Sequence, residues 1–119
     1  MKNEPDKSSE PTPSETLQKQ FTLAMFDVYR RAKKEADYPA TRFHQMVSEM
    51  GGYDTAMQLI HDPHPSEGYT ALWERGRLDL TVEAVIVDSK WNALFSGEDR
   101  AAARKRLESY HYDFSAKRK

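Results

Sequence analysis

Leu78-Asp79-Leu80-Thr81-Val82-Glu83-Ala84-Val85-Ile86-Val87 is the stretch on which the fold class turns. Leu78, Leu80, Val82, Ala84 and Ile86 alternate as the buried face of a strand would, whereas Leu78, Val82, Val85 and Ile86 match a helical face. Partnership decides between them. A strand needs a neighbour to take its backbone N–H and C=O groups, and the chain has no second strand-like segment. The stretch is therefore predicted to be helical, and the protein all-α.

The segments on either side read the same way. Upstream, Ser66-Glu67 resembles the cap of a helix whose Tyr69, Leu72 and Trp73 face inward and which Gly76 closes. His61-Asp62-Pro63-His64-Pro65 separates it from a short helix over about Tyr53 to Ile60. Gly51-Gly52 ends the helix before that, where Phe43, Met46, Val47 and Met50 share a face and Pro39 fits the first turn. A first helix runs from a cap at Ser14 to about Ala36, with Leu17, Phe21, Met25, Val28 and Ala32 on one side. Downstream, Trp91, Leu94 and Phe95 form an apolar knuckle. Ser96 then caps a last helix with Ala103, Leu107 and Tyr110 buried and Arg100, Arg104 and Lys105 opposite.

Five or six short helices with glycine and proline punctuation predict a compact orthogonal bundle. Residues 1–16 hold Pro5, Pro11 and Pro13 but no large apolar side chain except Met1, so they are predicted to be a disordered tail. Residues 17–119 make a single helical domain.

The chain has 119 residues, one core's worth, and its 18 Lys and Arg stand against 19 Asp and Glu, a net charge of -1. No whole-chain excess calls for nucleic acid or an anionic membrane. Cysteine is absent, which excludes disulfides, thiolate metal sites and cysteine nucleophiles. The longest apolar runs, Leu23-Ala24-Met25-Phe26 and Ala84-Val85-Ile86-Val87, fall far short of the ~18 residues that span a bilayer, so no membrane association is expected. The first residues carry no secretory signal, and a cytoplasmic protein is expected.

The densest charged feature is Trp73-Glu74-Arg75-Gly76-Arg77-Leu78-Asp79. Arg75 and Arg77 fit a planar anion such as phosphate or carboxylate, but fit still better as ties from neighbouring helix ends to Glu74, Asp79 or Glu83. Trp73 suits a core or half-buried anchor. His61 and His64 flank Asp62 as metal ligands do, yet Pro63 keeps them off one helix face and no other His or Cys lies nearby, so no metal is expected. His44 is expected to be partly buried. No nucleophile signature and no cofactor motif is present; catalysis and cofactors are not expected.

Two basic clusters remain: Arg30, Arg31, Lys33 and Lys34 end the first helix, and Arg100, Arg104, Lys105, Arg106, Lys117, Arg118 and Lys119 mark the C-terminal segment. They could track a phosphate backbone, though the ordinary reading of such runs is a solvated helix face.

From Gly68 to Tyr112, and above all in Leu72-Trp73-Glu74-Arg75-Gly76-Arg77-Leu78-Asp79-Leu80-Thr81-Val82-Glu83-Ala84, the wording resembles a family of small all-helical bacterial proteins with no established activity. Ala40-Thr41-Arg42-Phe43 and Met46-Val47-Ser48-Glu49-Met50-Gly51-Gly52 fit the same pattern. The resemblance implies the fold and a bacterial origin. Gly51-Gly52-Tyr53 is also similar to a glycine pair in AT-rich interaction DNA-binding domains, a match of too few residues to bring a function with it.

The sequence thus predicts a non-catalytic interaction module of a bacterial cytoplasm, its partner another protein or a second copy of itself. Trp73, Arg75 and Arg77 are its contact residues, because Trp and Arg dominate interface hot spots. The alternative is nucleic-acid binding through Arg30, Arg31, Lys33, Lys34, Arg100, Arg104 and Lys105. A third reading, a ligand or catalytic pocket, requires Arg75, Arg77, His61 and His64 to converge.

Overall fold

A computed structural model describes residues 13–114, and every regular element among them is helical. The described residues form six α-helices: α1 (Pro13–Glu35), α2 (Thr41–Met50), α3 (Gly52–His61), α4 (Glu67–Glu74), α5 (Val82–Ile86) and α6 (Gly97–Ser109). Short 3₁₀ turns at Leu78–Leu80 and Ser89–Trp91 lead into and out of α5. This is the all-α class that the missing strand partner predicted.

The deciding stretch is helical but is not one helix. Thr81 adopts an extended conformation (φ -90, ψ 160) between the 3₁₀ turn and α5. Its hydroxyl donates to the Leu78 carbonyl at 2.7 Å and accepts the Ala84 amide at 3.2 Å, closing one element and capping the next. Both periodicities in the sequence therefore hold in part. Leu78 and Leu80 are buried two apart before the break, and Val82 and Ile86 four apart after it. Glu83 and Ala84 are buried as well, and Val85 alone of α5 is partly exposed.

α1 is the spine of the main core. Its Phe21 and Met25 pack among Val47 of α2, Ala56 and Ile60 of α3, Ile86 of α5 and Ala103 of α6. The Phe21 ring meets Trp91 edge-on at 5.2 Å and Phe95 at 5.1 Å between centroids. Each such fully buried side chain stabilises the fold by roughly 1.5–3 kcal/mol relative to exposure. Gly51, at φ 88, makes the left-handed turn between α2 and α3 that glycine adopts without strain. Gly52 is needed for a different reason: a Cβ there would lie 2.7 Å from Thr22 Cα, and its N–H donates to the Thr22 hydroxyl at 2.9 Å.

Several boundaries differ from expectation. α1 already includes Pro13, ahead of the cap expected at Ser14, so residues 13–16 belong to the helix and not to a tail; proline's fixed φ suits a first turn. Residues 1–12 and 115–119 lie outside the described residues, and with them the rest of the expected tail and Lys117, Arg118 and Lys119. Pro39 precedes α2 instead of opening it, because Ala40 occupies the cap position and the Pro39 carbonyl accepts from the Thr41 hydroxyl at 3.1 Å. Trp73 does not face inward with Tyr69 and Leu72: it is 46% exposed, since a single stripe through Tyr69 and Leu72 suffices to seat so short a helix. His44 is exposed, lying against the Tyr29 ring at 4.6 Å and the Phe26 ring at 5.4 Å. Ser66 and Ser96 cap α4 and α6 as expected, Ser96 in a reciprocal box with Asp99.

Candidate functional site

Arg75 and Arg77 leave the end of α4 in different directions. Arg75 Nε donates to the Ala36 carbonyl at 2.9 Å and Nη1 to the Ala71 carbonyl at 3.1 Å, and its guanidinium lies over the Tyr38 ring. It therefore satisfies carbonyls at the ends of α1 and α4, where a cation also suits the helix dipoles. Arg77 forks onto Asp79, with Nε–Oδ1 at 2.9 Å and Nη2–Oδ2 at 3.0 Å, and reaches Glu35 at 2.7 Å. Arg31 completes the group with a 2.9 Å bond to the other Glu35 oxygen. Arg31, and then Arg77, hold the Glu35 carboxyl down to about 2. The Asp79 tie is one that the sequence suggested; Glu35 comes from 42 residues away and was not foreseen.

This corner forms one wall of an open groove of about 1080 Å³. Ala24 and Val28 of α1, Leu78, and Ala84 and Val85 of α5 supply its apolar surface. Trp73 stands at its edge with its ring edge-on to Tyr110 at 5.4 Å. Tyr112 lines the groove too, and its buried hydroxyl has no hydrogen-bond partner among the described residues. Trp73 and Arg77 thus share one concavity, while Arg75 lies outside its lining.

The histidines do not join them. His61 Nε2 is 2.8 Å from Asp99 Oδ1, and His64 is exposed near Asp62. Burial pushes the Asp99 carboxyl up, but His61 and the amide and hydroxyl of Ser96 outweigh it and keep it below the ordinary value. The convergent pocket of Arg75, Arg77, His61 and His64 is not formed. The geometry groups no three His, Cys, Asp or Glu side chains as a metal site among the described residues.

The basic clusters are largely engaged within the fold. Arg30 pairs with Asp27 at 3.1 Å and Arg104 with Glu108 at 3.2 Å. Arg100 does not simply project outward, because its Nη1 donates to the Phe95 carbonyl at 2.6 Å. Lys33, Lys34 and Lys105 are exposed.

Arg106, counted in the sequence among surface cations, has the most consequential position. It bonds Glu83 at 2.9 Å, the Leu59 carbonyl at 3.2 Å and the Asp62 carbonyl, so it ties α6 to α5 and to the end of α3. Burial pushes the Glu83 carboxyl up and Arg106 opposes this. A lone acid inside the apolar run from Val82 to Val87 was the one sequence signal that an interior cation had to exist.

No family model, curated protein or solved structure matches this chain. No helix among the described residues is long and apolar enough to cross a membrane.

Proposed function

We propose that this protein is a non-catalytic interaction module of a bacterial cytoplasm that docks a segment of a partner protein carrying both apolar and charged side chains in the groove beside Trp73. The observation that carries the reading is the exposed Trp73 ring at the edge of a concavity lined by apolar side chains and by charged ones such as Asp27, Asp88 and Lys90. A tryptophan at 46% exposure retains a large apolar area for burial, and tryptophan dominates interface energetics. Arg77 serves as the fixed wall of the groove, its guanidinium already held by Asp79 and Glu35. Arg75 serves the frame behind it.

Nucleic-acid binding draws less support, since Arg30, Arg31, Arg100 and Arg104 are each engaged by carboxylates or carbonyls of this chain. A photoreactive amino acid at position 73, introduced in living cells, should give discrete protein adducts that the same group at position 104 does not. A solution-mass measurement separates a foreign partner from a second copy. No adduct at 73, together with DNA or RNA binding that falls steeply with salt, would replace this reading with the nucleic-acid one.

A further inference from the structure

A second cavity, of about 310 Å³, shares only Val28 with the groove. It lies among α1, α2, the end of α3, the start of α4 and the segment from Leu80 to Glu83. That volume is at the lower end of ordinary small-molecule pockets. Phe43, Leu72, Leu80 and Val82 give it an apolar interior, with the rings of Tyr29, Tyr38 and Tyr69 around them.

Charge is distributed within it in a definite way. The interior carboxylate, Glu83, is already bound by Arg106, so the body of a ligand meets no unsatisfied charge there. Of the three exposed charged residues on the lining, Asp62 accepts the His64 amide at 2.9 Å, whereas Arg42 and Glu67 have neither an ion pair nor a side-chain hydrogen bond among the described residues. They come from separate elements, α2 and the first turn of α4. Tyr38 packs against that turn, its ring 3.7 Å from where a Gly68 Cβ would sit. Burial, and next the Glu67 charge, push the Tyr38 hydroxyl up, with Arg75 opposing, so the field of Glu67 reaches the cavity wall.

We infer that this cavity binds a small zwitterion of the amino-acid type, its aromatic or large aliphatic body among Phe43, Leu72 and Leu80, its carboxylate at Arg42 and its ammonium at Glu67. A guanidinium is the side chain best shaped for a carboxylate, and a carboxylate with tyrosine faces nearby suits an ammonium. A ligand with only one charge leaves one of these two rim groups unanswered. A ligand with none leaves both.

The test uses the full chain and three probes of one body: L-phenylalanine, phenethylammonium and 3-phenylpropionate. L-Phenylalanine should perturb the amide NMR signals of Phe43, Gly68 and Tyr69, and each singly charged analogue should bind about tenfold more weakly. Arg42→Ala and Glu67→Gln, both at exposed positions, should each lower phenylalanine affinity about tenfold without moving the thermal transition. Met46→Trp, which fills the cavity from α2, should abolish binding. Either analogue binding as well as the zwitterion would overturn the inference, as would affinity unchanged in both rim variants. Absence of binding by L-phenylalanine, L-leucine and L-tryptophan alike would make the cavity a packing void. The groove at Trp73 is read by a different experiment, so neither result decides the other.

Discussion

Two of the arginine–carboxylate sites among the described residues have nearly the same bond lengths and very different surroundings. At the corner, Arg77, Asp79 and Glu35 keep 30%, 31% and 35% of their side-chain surface in water. Between α5 and α6, Arg106 and Glu83 keep 13% and 3%. Water screens the first group and leaves each member a solvated alternative; the second has none. The conspicuous cluster in the sequence is therefore the more solvated one, and the inconspicuous arginine is the one whose loss is expected to cost the fold more.

The sharpest way to break that contrast is Arg106→Ala, expected to cost about 3–5 kcal/mol in urea unfolding at neutral pH because Glu83 is left buried and unpaired. A cost under about 1 kcal/mol would make the two sites equivalent. Removing both charges in Arg106→Met/Glu83→Leu should recover most of that loss, since an apolar replacement of a buried pair is often neutral or better. Arg77→Ala should cost about 1 kcal/mol, and less at 1 M salt, where exposed pairs are screened.

The two carboxyls also respond to pH with opposite sign. Glu35 is held near 2 against an ordinary 4.5, so its contribution is complete above about pH 4.5 and is lost as pH falls toward 2. Glu83 is raised, so its protonated form is favoured in the fold, and the penalty of its burial appears as pH rises through its folded value. A carboxyl-carbon NMR titration of Glu35 should return toward the ordinary value in Arg31→Ala/Arg77→Ala; an unchanged titration would remove the corner's electrostatic account. For Trp73→Ala, whose ring also packs on Tyr110, a stability cost of about 1 kcal/mol is expected. Beside it, affinity for a groove partner should fall by about 2 kcal/mol or more, read by titration once that partner is isolated.

What the sequence revealed was what neighbouring residues decide among themselves. Ser66 and Ser96 announced α4 and α6 because a cap acts on an amide three residues away. The strand-or-helix question at Leu78–Val87 was settled by the want of a partner, but the break at Thr81 was hidden because the stretch satisfies two periodicities in turn. Long-range pairs were not legible: Arg106 meets Glu83 across 23 positions, and Gly52 meets Thr22 across 30. Of the expected contact residues, Trp73 and Arg77 fell into one groove, while Arg75 turned to carbonyl ends that no local pattern specifies. Tyr112 and its unanswered hydroxyl became visible only when the end of α6 was placed beside Trp73 and Tyr110.

The order in which the ribosome makes these residues gives the clamp at Arg106 a further consequence. Glu83 is synthesised well before its counter-charge, and α1 through α5 emerge with an acid at the centre that nothing yet neutralises. A chain truncated after Ser96 is accordingly expected to stay open to proteases, and the domain can shut only after residue 106 has left the ribosome.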